Sequence, residues 1–167
     1  MTIDLYRSDS AGGATPAEPA PISLPLFGLR VLLAEDDPLN AMVVRLILTR
    51  NGASVHHVPN GVQAVRLAAE VHFDCAVFDV RMPHLTGPQA AAVIRRNPAA
   101  PDDLPIIALT ANNSPADRDH CLAAGMDVFL TKPVCETSLI EAIVQLCAAT
   151  AHRSSGSGRG ADRSNTG

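Results

Sequence analysis

Several apolar segments of the chain end in side chains that could bind a metal ion or an anion. Glu35 and Asp36 follow the first of these segments, Asp79 follows the third, and Thr110 and Lys132 follow the fourth and the fifth. Three carboxylates in one cavity repel each other and raise one another's pKa values unless a cation lies among them. An all-oxygen acidic cluster suits a hard ion such as Mg²⁺ or Mn²⁺. A hydroxyl and an ammonium beside that ion would suit an incoming phosphoryl group, so these residues predict a phosphoryl-transfer site.

One residue of this set is unusual among the basic residues of the chain. Twelve of the thirteen basic residues are arginines, and the one lysine is Lys132. Chance would explain a single lysine; the functional interpretation is that this position needs a compact ammonium instead of a planar guanidinium. Taken one at a time, carboxylates before helices are usually caps. Asp37, which precedes Pro38, is accordingly predicted to be a helix N-cap and not a ligand.

Elements of two kinds alternate along the chain and would bring these side chains together. Short apolar segments predict five strands, and capped segments with helical periodicity predict five helices between and after them. Such alternation predicts an α/β protein with a parallel sheet covered by helices on both faces. The carboxyl ends of parallel strands share one edge, which is where ligands bind in such sheets. The strands are predicted at 29–34, 54–58, 73–78, 105–109 and 127–130.

The sequence also predicts the buried face of the first helix and the bounds of the last helix. In the first helix we expect Leu39, Val43, Leu46 and Ile47 to form the buried face. The last helix is predicted over about 136–148.

The amino-acid composition limits the kinds of protein that this chain can be. Hydrophobic residues make up 47% of the 167 residues, which predicts a packed domain. We expect residues 1–25 to be a disordered arm, 26–149 to be the folded domain and 150–167 to be a disordered tail. The net charge of −4 argues against non-specific nucleic-acid binding, and no apolar run is long enough to span a bilayer. A cytoplasmic protein is therefore expected, with its four cysteines as buried free thiols instead of disulfide or zinc partners.

Four motifs resemble the receiver domains of two-component response regulators and hybrid histidine kinases: LLAEDDPLN, FDCAVFDVRMPHLTG, PIIALTA and FLTKP. The resemblance covers residues 29–148 and implies an α/β fold of the flavodoxin-like (βα)5 kind, a doubly wound five-stranded parallel sheet of order 2-1-3-4-5. It implies that Asp79 is the phosphoacceptor and attacks a phosphohistidine. It further implies that Asp36 and Asp79 hold Mg²⁺ directly, that Glu35 acts through water, and that the backbone carbonyl of Arg81 completes the protein ligands.

The same resemblance assigns the remaining roles. Lys132 and Thr110 would hold phosphoryl oxygens, the Lys132–Pro133 bond would be cis, and Phe129 would move with Thr110 as a switch. The partner would be a histidine kinase, a histidine phosphotransfer protein or both, and the chain a monomer or a weak phosphorylation-dependent dimer. It would be no enzyme beyond catalysing its own phosphorylation and dephosphorylation. No separate output domain is expected, because nothing after residue 149 is predicted to fold. The two tails would be either linkers to a kinase core or the free arms of a stand-alone response regulator, and the starting methionine favours the second.

Some positions depart from the commonest family pattern. Glu35 replaces an aspartate, Phe129 stands where tyrosine is frequent, and Thr86 replaces a frequent acid. None of these departures removes a catalytic group. Arg81 and Asn112 lie two residues past Asp79 and Thr110, where they would influence the lifetime of the acyl phosphate.

Other functions remain open from the residues alone. A receiver-shaped scaffold could bind partners without phosphate, although the complete set of acids, threonine and lysine argues against it. An aspartate-nucleophile phosphatase would need a second acid where Arg81 stands. No phosphate-binding loop of the flavodoxin or GTPase kind follows the first strand.

Overall fold

A computed structural model describes residues 24–101, 103–112 and 114–156. Strands and helices alternate strictly along this part of the chain, as predicted. The strands are β1 Arg30–Ala34, β2 Ser54–Val58, β3 Cys75–Asp79, β4 Ile106–Thr110 and β5 Val128–Thr131. The helices are α1 Pro38–Arg50, α2 Gly61–Glu70, α3 Gly87–Arg96, α4 Pro115–Ala123 and α5 Glu136–Gly156.

The five strands form one parallel sheet in the order β2-β1-β3-β4-β5, which confirms the predicted topology. Ala34 pairs with Phe78 across β1 and β3, and Asp79 pairs with Leu109 across β3 and β4. The residues that follow these strands therefore emerge side by side at one edge of the sheet. β2 lies at the opposite side from β5 and is an edge strand, in agreement with its more polar sequence.

The core consists of two layers, one on each face of the sheet. Strand side chains alternate between the faces, so Leu32 contributes to one layer and its neighbour Leu33 to the other. One layer includes buried residues of α2, α3 and α4. The other includes buried residues of α1 and α5. Covering both faces explains why β1, β3 and β4 are apolar almost throughout.

Helix starts were well predicted because capping depends on local residue types. Asp37 caps α1, and its side chain accepts a hydrogen bond from the Asn40 backbone N–H at 2.8 Å. α3 begins at Gly87, directly before Pro88. Thr86 caps it and forms a capping box with Gln89. The structure thus gives Thr86, noted as a departure from the family pattern, a role in the helix start.

The buried face predicted for α1 is wrong at Leu39, Val43 and Leu46; only Ile47 is half-buried and packs against the core layer of α1 and α5. Its buried residues are Ala41, Val44 and Leu48, whereas Leu39 is 65% exposed and Leu46 is 55% exposed. The error arose because α1 is apolar on two sides, and both sets of residues recur at helical spacing.

The C-terminal boundary also differs from the prediction. The last helix was expected to end near residue 148, and the chain to be disordered from residue 150, but α5 continues to Gly156. Ala148, Ala149 and Ala151 favour helix strongly, and the hydroxyl of Thr150 donates to the Leu146 carbonyl at 3.0 Å. The predicted arm at 1–25 and the rest of the predicted tail lie outside the described residues, apart from Leu24 and Pro25. No described helix is both long and apolar enough to cross a bilayer.

Candidate functional site

Three carboxylates converge at the carboxyl edge of the sheet. Glu35 and Asp36 follow β1, and Asp79 ends the adjacent strand β3. Carboxylate oxygens of the three residues lie within 4.8 Å of one another. Glu35 and Asp79 are buried, whereas Asp36 is exposed. The cluster is therefore open to solvent on the side of Asp36.

Lys132 is the cation that faces this cluster. Its Nζ lies 2.6 Å from Oε2 of Glu35 and 3.2 Å from Oδ1 of Asp79. The Lys132 backbone N–H donates to the Thr110 carbonyl at 2.7 Å, which holds the loop after β5 against β4. The Lys132–Pro133 peptide bond is cis, as expected from the resemblance. The one lysine of the chain thus lies at the point where the sequence predicted a point charge.

The electrostatics of the site are dominated by Glu35, whose side chain is fully buried. Burial raises the pKa of Glu35, the hydrogen bond from Lys132 lowers it, and the neighbouring Asp79 raises it again. The net direction is upward, which agrees with the expected repulsion among the carboxylates. When all three carboxylates are ionised, one ammonium leaves two negative charges uncompensated. The cluster therefore has the charge to attract a divalent cation.

The other predicted site residues lie at different distances from the cluster. Thr110 is buried at the end of β4, next to β3, and its Oγ1 accepts from the Asn112 backbone N–H at 3.1 Å. Arg81 is exposed in the loop two residues after Asp79. Phe129 lies on β5 and packs against the layer formed by α2, α3 and α4. Thr110 thus shares the edge of the acidic cluster, whereas Phe129 is half-buried against one core layer.

Gly87 shapes the wall of the site. It starts α3 directly against the end of β3, and a Cβ at this position would collide with the backbone carbonyl oxygen of Asp79. Only glycine allows the helix to begin this close to the carboxylate.

Sequence reasoning missed two neighbours of Glu35. The side-chain amide of Asn40 donates to Glu35 Oε1 at 3.4 Å, and His57 Nε2 lies 2.9 Å from the Glu35 backbone oxygen. Asn40 stands in the first turn of α1, five residues after Glu35, so its position could have been inferred from the predicted helix start. His57 comes from the edge strand, and its contact depends on a pairing register that no local pattern reveals.

The donor set fits a hard divalent cation. It offers only carboxylate oxygens, at the carboxyl ends of two neighbouring strands. Two of the three carboxylate residues are buried. Mg²⁺ prefers oxygen ligands from one or two carboxylates and retains several waters, which the open side at Asp36 allows.

A doubly wound parallel sheet with an acidic cluster and a lysine at its carboxyl edge places the chain among the α/β domains whose sites lie at the ends of their strands. Comparison with known proteins narrows this class. The chain belongs to the response regulator receiver domain family, whose family model matches residues 31–144. It is thus a receiver domain of the kind found in two-component signalling systems.

Known relatives include receiver-containing sensor kinases. The chain is 37% identical over 121 residues to the sensor protein GacS of Pseudomonas syringae pv. syringae, covering 70% of this chain and 13% of that protein. It is 31% identical over 134 residues to the sensor protein EvgS of Escherichia coli K12, covering 80% of this chain and 11% of EvgS. The chain therefore spans only about an eighth of the length of such relatives.

Solved structures agree in fold. The receiver domain of the sensor histidine kinase PA1611 from Pseudomonas aeruginosa PAO1 is 38% identical, with a TM-score of 0.68. The match covers 72% of this chain and 98% of that one, and the PA1611 domain contains a magnesium ion in its active-site cleft. The chemotaxis protein CheY4 of Vibrio cholerae is 26% identical with a TM-score of 0.66, covering 71% of this chain and 98% of CheY4.

Proposed function

We propose that this receiver domain is phosphorylated on Asp79 by a protein phosphohistidine, as part of two-component signalling or a phosphorelay. The observation that carries the proposal is the convergence of the Glu35, Asp36 and Asp79 carboxylates with the Lys132 ammonium at one edge of the sheet. Lys132 contacts both Glu35 and Asp79, and of these two Asp79 is the last residue of the central strand β3. A carboxylate at this position can attack an incoming phosphorus atom.

The acidic cluster would hold Mg²⁺ through Asp36 and Asp79, with Glu35 acting through water and the Arg81 carbonyl as a further ligand. When bound, the ion would neutralise negative charge on the carboxylates and on the transferring phosphoryl group. The two uncompensated negative charges of the cluster support this assignment. Mn²⁺ has similar ligand preferences and would serve in the same role.

In the transfer step an oxygen of the Asp79 carboxylate forms a bond to phosphorus while the bond between phosphorus and the histidine nitrogen breaks. The leaving imidazole keeps the electron pair of that bond. The Lys132 ammonium, 3.2 Å from Asp79 Oδ1, would bind a phosphoryl oxygen, and the Thr110 hydroxyl would bind another. The product is an aspartyl phosphate, and the chain would catalyse only its own phosphorylation and dephosphorylation.

Phosphorylation would act on partners through Thr110 and Phe129. The Thr110 hydroxyl accepts from the Asn112 N–H at 3.1 Å in the unphosphorylated protein. Turning towards a phosphoryl group would break this hydrogen bond, and Phe129 on the neighbouring strand would repack as the loop moves. Because Phe129 carries no hydroxyl, its signal to a partner would depend on packing alone.

The surface on which the phosphohistidine partner would dock is the exposed apolar stripe of α1. The stripe begins three residues after Asp36 and thus borders the acidic cluster. A partner that brings its histidine to Asp79 must cover the surface around the acidic cluster, which includes this stripe. Burial of the apolar side chains of the stripe would drive association with the partner. The stripe consists of Leu39, Met42, Val43 and Leu46, which are 65%, 61%, 44% and 55% exposed.

Phosphoramidate tests the chemistry without a protein partner, because it carries the same phosphorus–nitrogen bond as phosphohistidine. In the presence of Mg²⁺ we expect intact-mass spectrometry to detect one added phosphoryl group on the wild type and none on Asp79→Asn. Asp37→Asn is the matched control, since it neutralises a neighbouring carboxylate that caps α1, and it should be labelled like the wild type. Labelling of Asp79→Asn would refute the assignment.

A phosphotransfer protein charged on histidine tests the docking surface. We expect Leu39→Ala/Leu46→Ala to slow transfer from this protein donor while leaving labelling by phosphoramidate unchanged. Val62→Ala is the control, because Val62 on α2 is 54% exposed but lies on the opposite face of the sheet. Equal effects of the α1 and α2 substitutions would contradict docking on α1.

A further inference from the structure

Cys75 and Cys147 are neighbours on one face of the sheet. Cys75 begins β3 and is fully buried, and Cys147 on α5 packs against the same core layer. The Cys147 thiol donates a hydrogen bond to the backbone oxygen of Asp74 at 3.5 Å, and Asp74 directly precedes Cys75 in the chain. A disulfide bond of about 2.05 Å between the two sulfurs would join β3 to α5 at this point.

A cavity gives Cys147 access to small molecules. It has a volume of about 210 Å³, and Cys147 lines it together with Phe73, Asp74 and Leu104. Cys75 does not line this cavity and lies behind Cys147, beneath α5. A hydrogen peroxide molecule is only slightly larger than water, whose share of liquid volume is about 30 Å³, so it would fit. The Cys147 thiol thus borders the cavity, whereas Cys75 does not.

The two neighbouring thiols also differ in reactivity. The neighbouring Cys75 lowers the pKa of Cys147, whereas the neighbouring Cys147 and burial raise the pKa of Cys75. The thiolate is the nucleophile in cysteine oxidation. The thiol that meets the cavity is therefore the one favoured to attack, and the buried thiol keeps its proton for the second step.

We propose that Cys147 and Cys75 form a reversible disulfide on exposure to a peroxide, with Cys147 as the attacking residue and Cys75 as the resolving residue. The Cys147 thiolate attacks one oxygen of hydrogen peroxide, the O–O bond breaks, and the leaving hydroxide takes up a proton to give water. Cys147 is then a sulfenic acid. The Cys75 sulfur attacks the Cys147 sulfur, the S–O bond breaks, and a second water leaves with the Cys75 proton. Two thiols are oxidised to one disulfide, and the peroxide is reduced to two waters.

This site is separate from the acidic cluster. Cys75 and Asp79 stand at opposite ends of β3, about 13 Å apart at the usual rise of a strand. The disulfide would tie α5 to the start of β3 without contacting the carboxylates. The proposal therefore does not depend on phosphorylation of Asp79.

The other two cysteines provide internal controls. Cys121 is buried in α4, and burial raises its pKa. Cys135 is exposed, and hydrogen bonds from Ser138 lower its pKa. Cys135 should therefore react with peroxide but lead to sulfenic acid or to disulfides between molecules, and Cys135→Ser removes this side reaction.

The experiment treats the full chain carrying Cys135→Ser with hydrogen peroxide and blocks remaining thiols with N-ethylmaleimide. Combined digestion with trypsin and Glu-C separates the cysteines, with Cys75 on 71–81, Cys147 on 142–153 and Cys121 on 119–136. We expect a linked pair of the fragments 71–81 and 142–153, loss of both alkylation sites, and return of both after treatment with dithiothreitol.

Two variants distinguish the roles of the thiols. Cys75→Ala should leave Cys147 as a sulfenic acid that dimedone captures, whereas Cys147→Ser should leave Cys75 alkylatable only after denaturation. Free Cys75 and Cys147 at saturating peroxide in the parent chain, or a crosslink through Cys121, would overturn the proposal. The crosslink is measured in the Cys135→Ser chain alone, so this outcome does not depend on the folding of the Cys75 and Cys147 variants.

Discussion

Replacing Lys132 by methionine would test the electrostatic balance of the site most sharply. Methionine keeps most of the length of the lysine stem but removes the ammonium that lies 2.6 Å from Oε2 of Glu35. The Glu35 side chain is fully buried, so the substitution leaves a carboxylate without its cation. Removing one partner of a buried ion pair costs about 3–5 kcal/mol. We expect about 3 kcal/mol, the lower end of that range, because Asn40 still hydrogen-bonds to Glu35 and Lys132 is 16% exposed.

The defect should depend on pH in a defined direction. In the wild type, burial raises the Glu35 pKa and the hydrogen bond from Lys132 opposes this rise. Loss of the ammonium would raise the Glu35 pKa further. A carboxyl with a higher pKa in the folded state than in the unfolded state contributes stability below its unfolded pKa, and this contribution is lost as pH rises through the folded pKa. The defect of Lys132→Met should therefore be largest at neutral pH and shrink as the pH falls.

Urea unfolding at several pH values, without divalent cations, provides the measurement. The double variant Glu35→Gln/Lys132→Met should be more stable than Lys132→Met at neutral pH, because position 35 then carries no unpaired charge. Arg66→Met is the matched control: the Arg66–Glu70 ion pair has a distance of 2.8 Å, but its side chains are 78% and 54% exposed. That variant should lose little stability. A Lys132→Met protein as stable as the wild type, or a defect equal at all pH values, would refute the reasoning.

Three further predictions concern neighbouring residues. Gly87→Ala should lower the free energy of unfolding by more than about 1 kcal/mol, because its Cβ would collide with the Asp79 carbonyl oxygen; chemical denaturation measures this loss. Asp37→Ala should cost about 1 kcal/mol through loss of the α1 cap, whereas Asp37→Asn should be nearly neutral in the same assay. Lys132→Arg should slow labelling by phosphoramidate despite keeping the charge, because a planar guanidinium cannot reproduce the compact contact of an ammonium.

Each of these predictions has a result that would contradict it. An unchanged Gly87→Ala protein would mean that α3 can shift away from β3 at little cost. Equal stability of the alanine and asparagine variants at position 37 would remove the capping interpretation. Unaltered labelling of Lys132→Arg would mean that the position needs only a positive charge.

The alternation of strands and helices and the composition of the site could be predicted because both follow from local patterns, whereas the strand order followed from the resemblance to receiver domains. Buried strands are recognisable as short apolar runs, and Asp37 and Ser114 mark helix starts through the residue types that cap them. Once parallel strands are assigned, their carboxyl ends must share an edge. Glu35, Asp79 and Lys132 could therefore be placed together although 97 residues separate the first from the last.

Other features depend on tertiary contacts that leave no unambiguous local pattern. α1 carries two apolar stripes, and only packing against the sheet decides that Val44 is buried while Val43 is exposed. The direct ion pair of Lys132 with Glu35 was not predicted, because strand order gives the edge but not the reach of a side chain. Cys75 on β3 and Cys147 on α5 are neighbours in space, although each residue by itself looked like an ordinary apolar core position.

Chemical trapping of the phosphorylated residue tests the central claim most directly. Borohydride reduces an aspartyl phosphate to homoserine, so treatment after incubation with Mg²⁺ and acetyl phosphate would mark the acceptor permanently. Peptide sequencing by mass spectrometry then identifies the marked position. The account predicts homoserine at position 79 and at no other aspartate. Homoserine at Asp36 or elsewhere, or a phosphoryl group that resists reduction because it sits on another residue type, would contradict it.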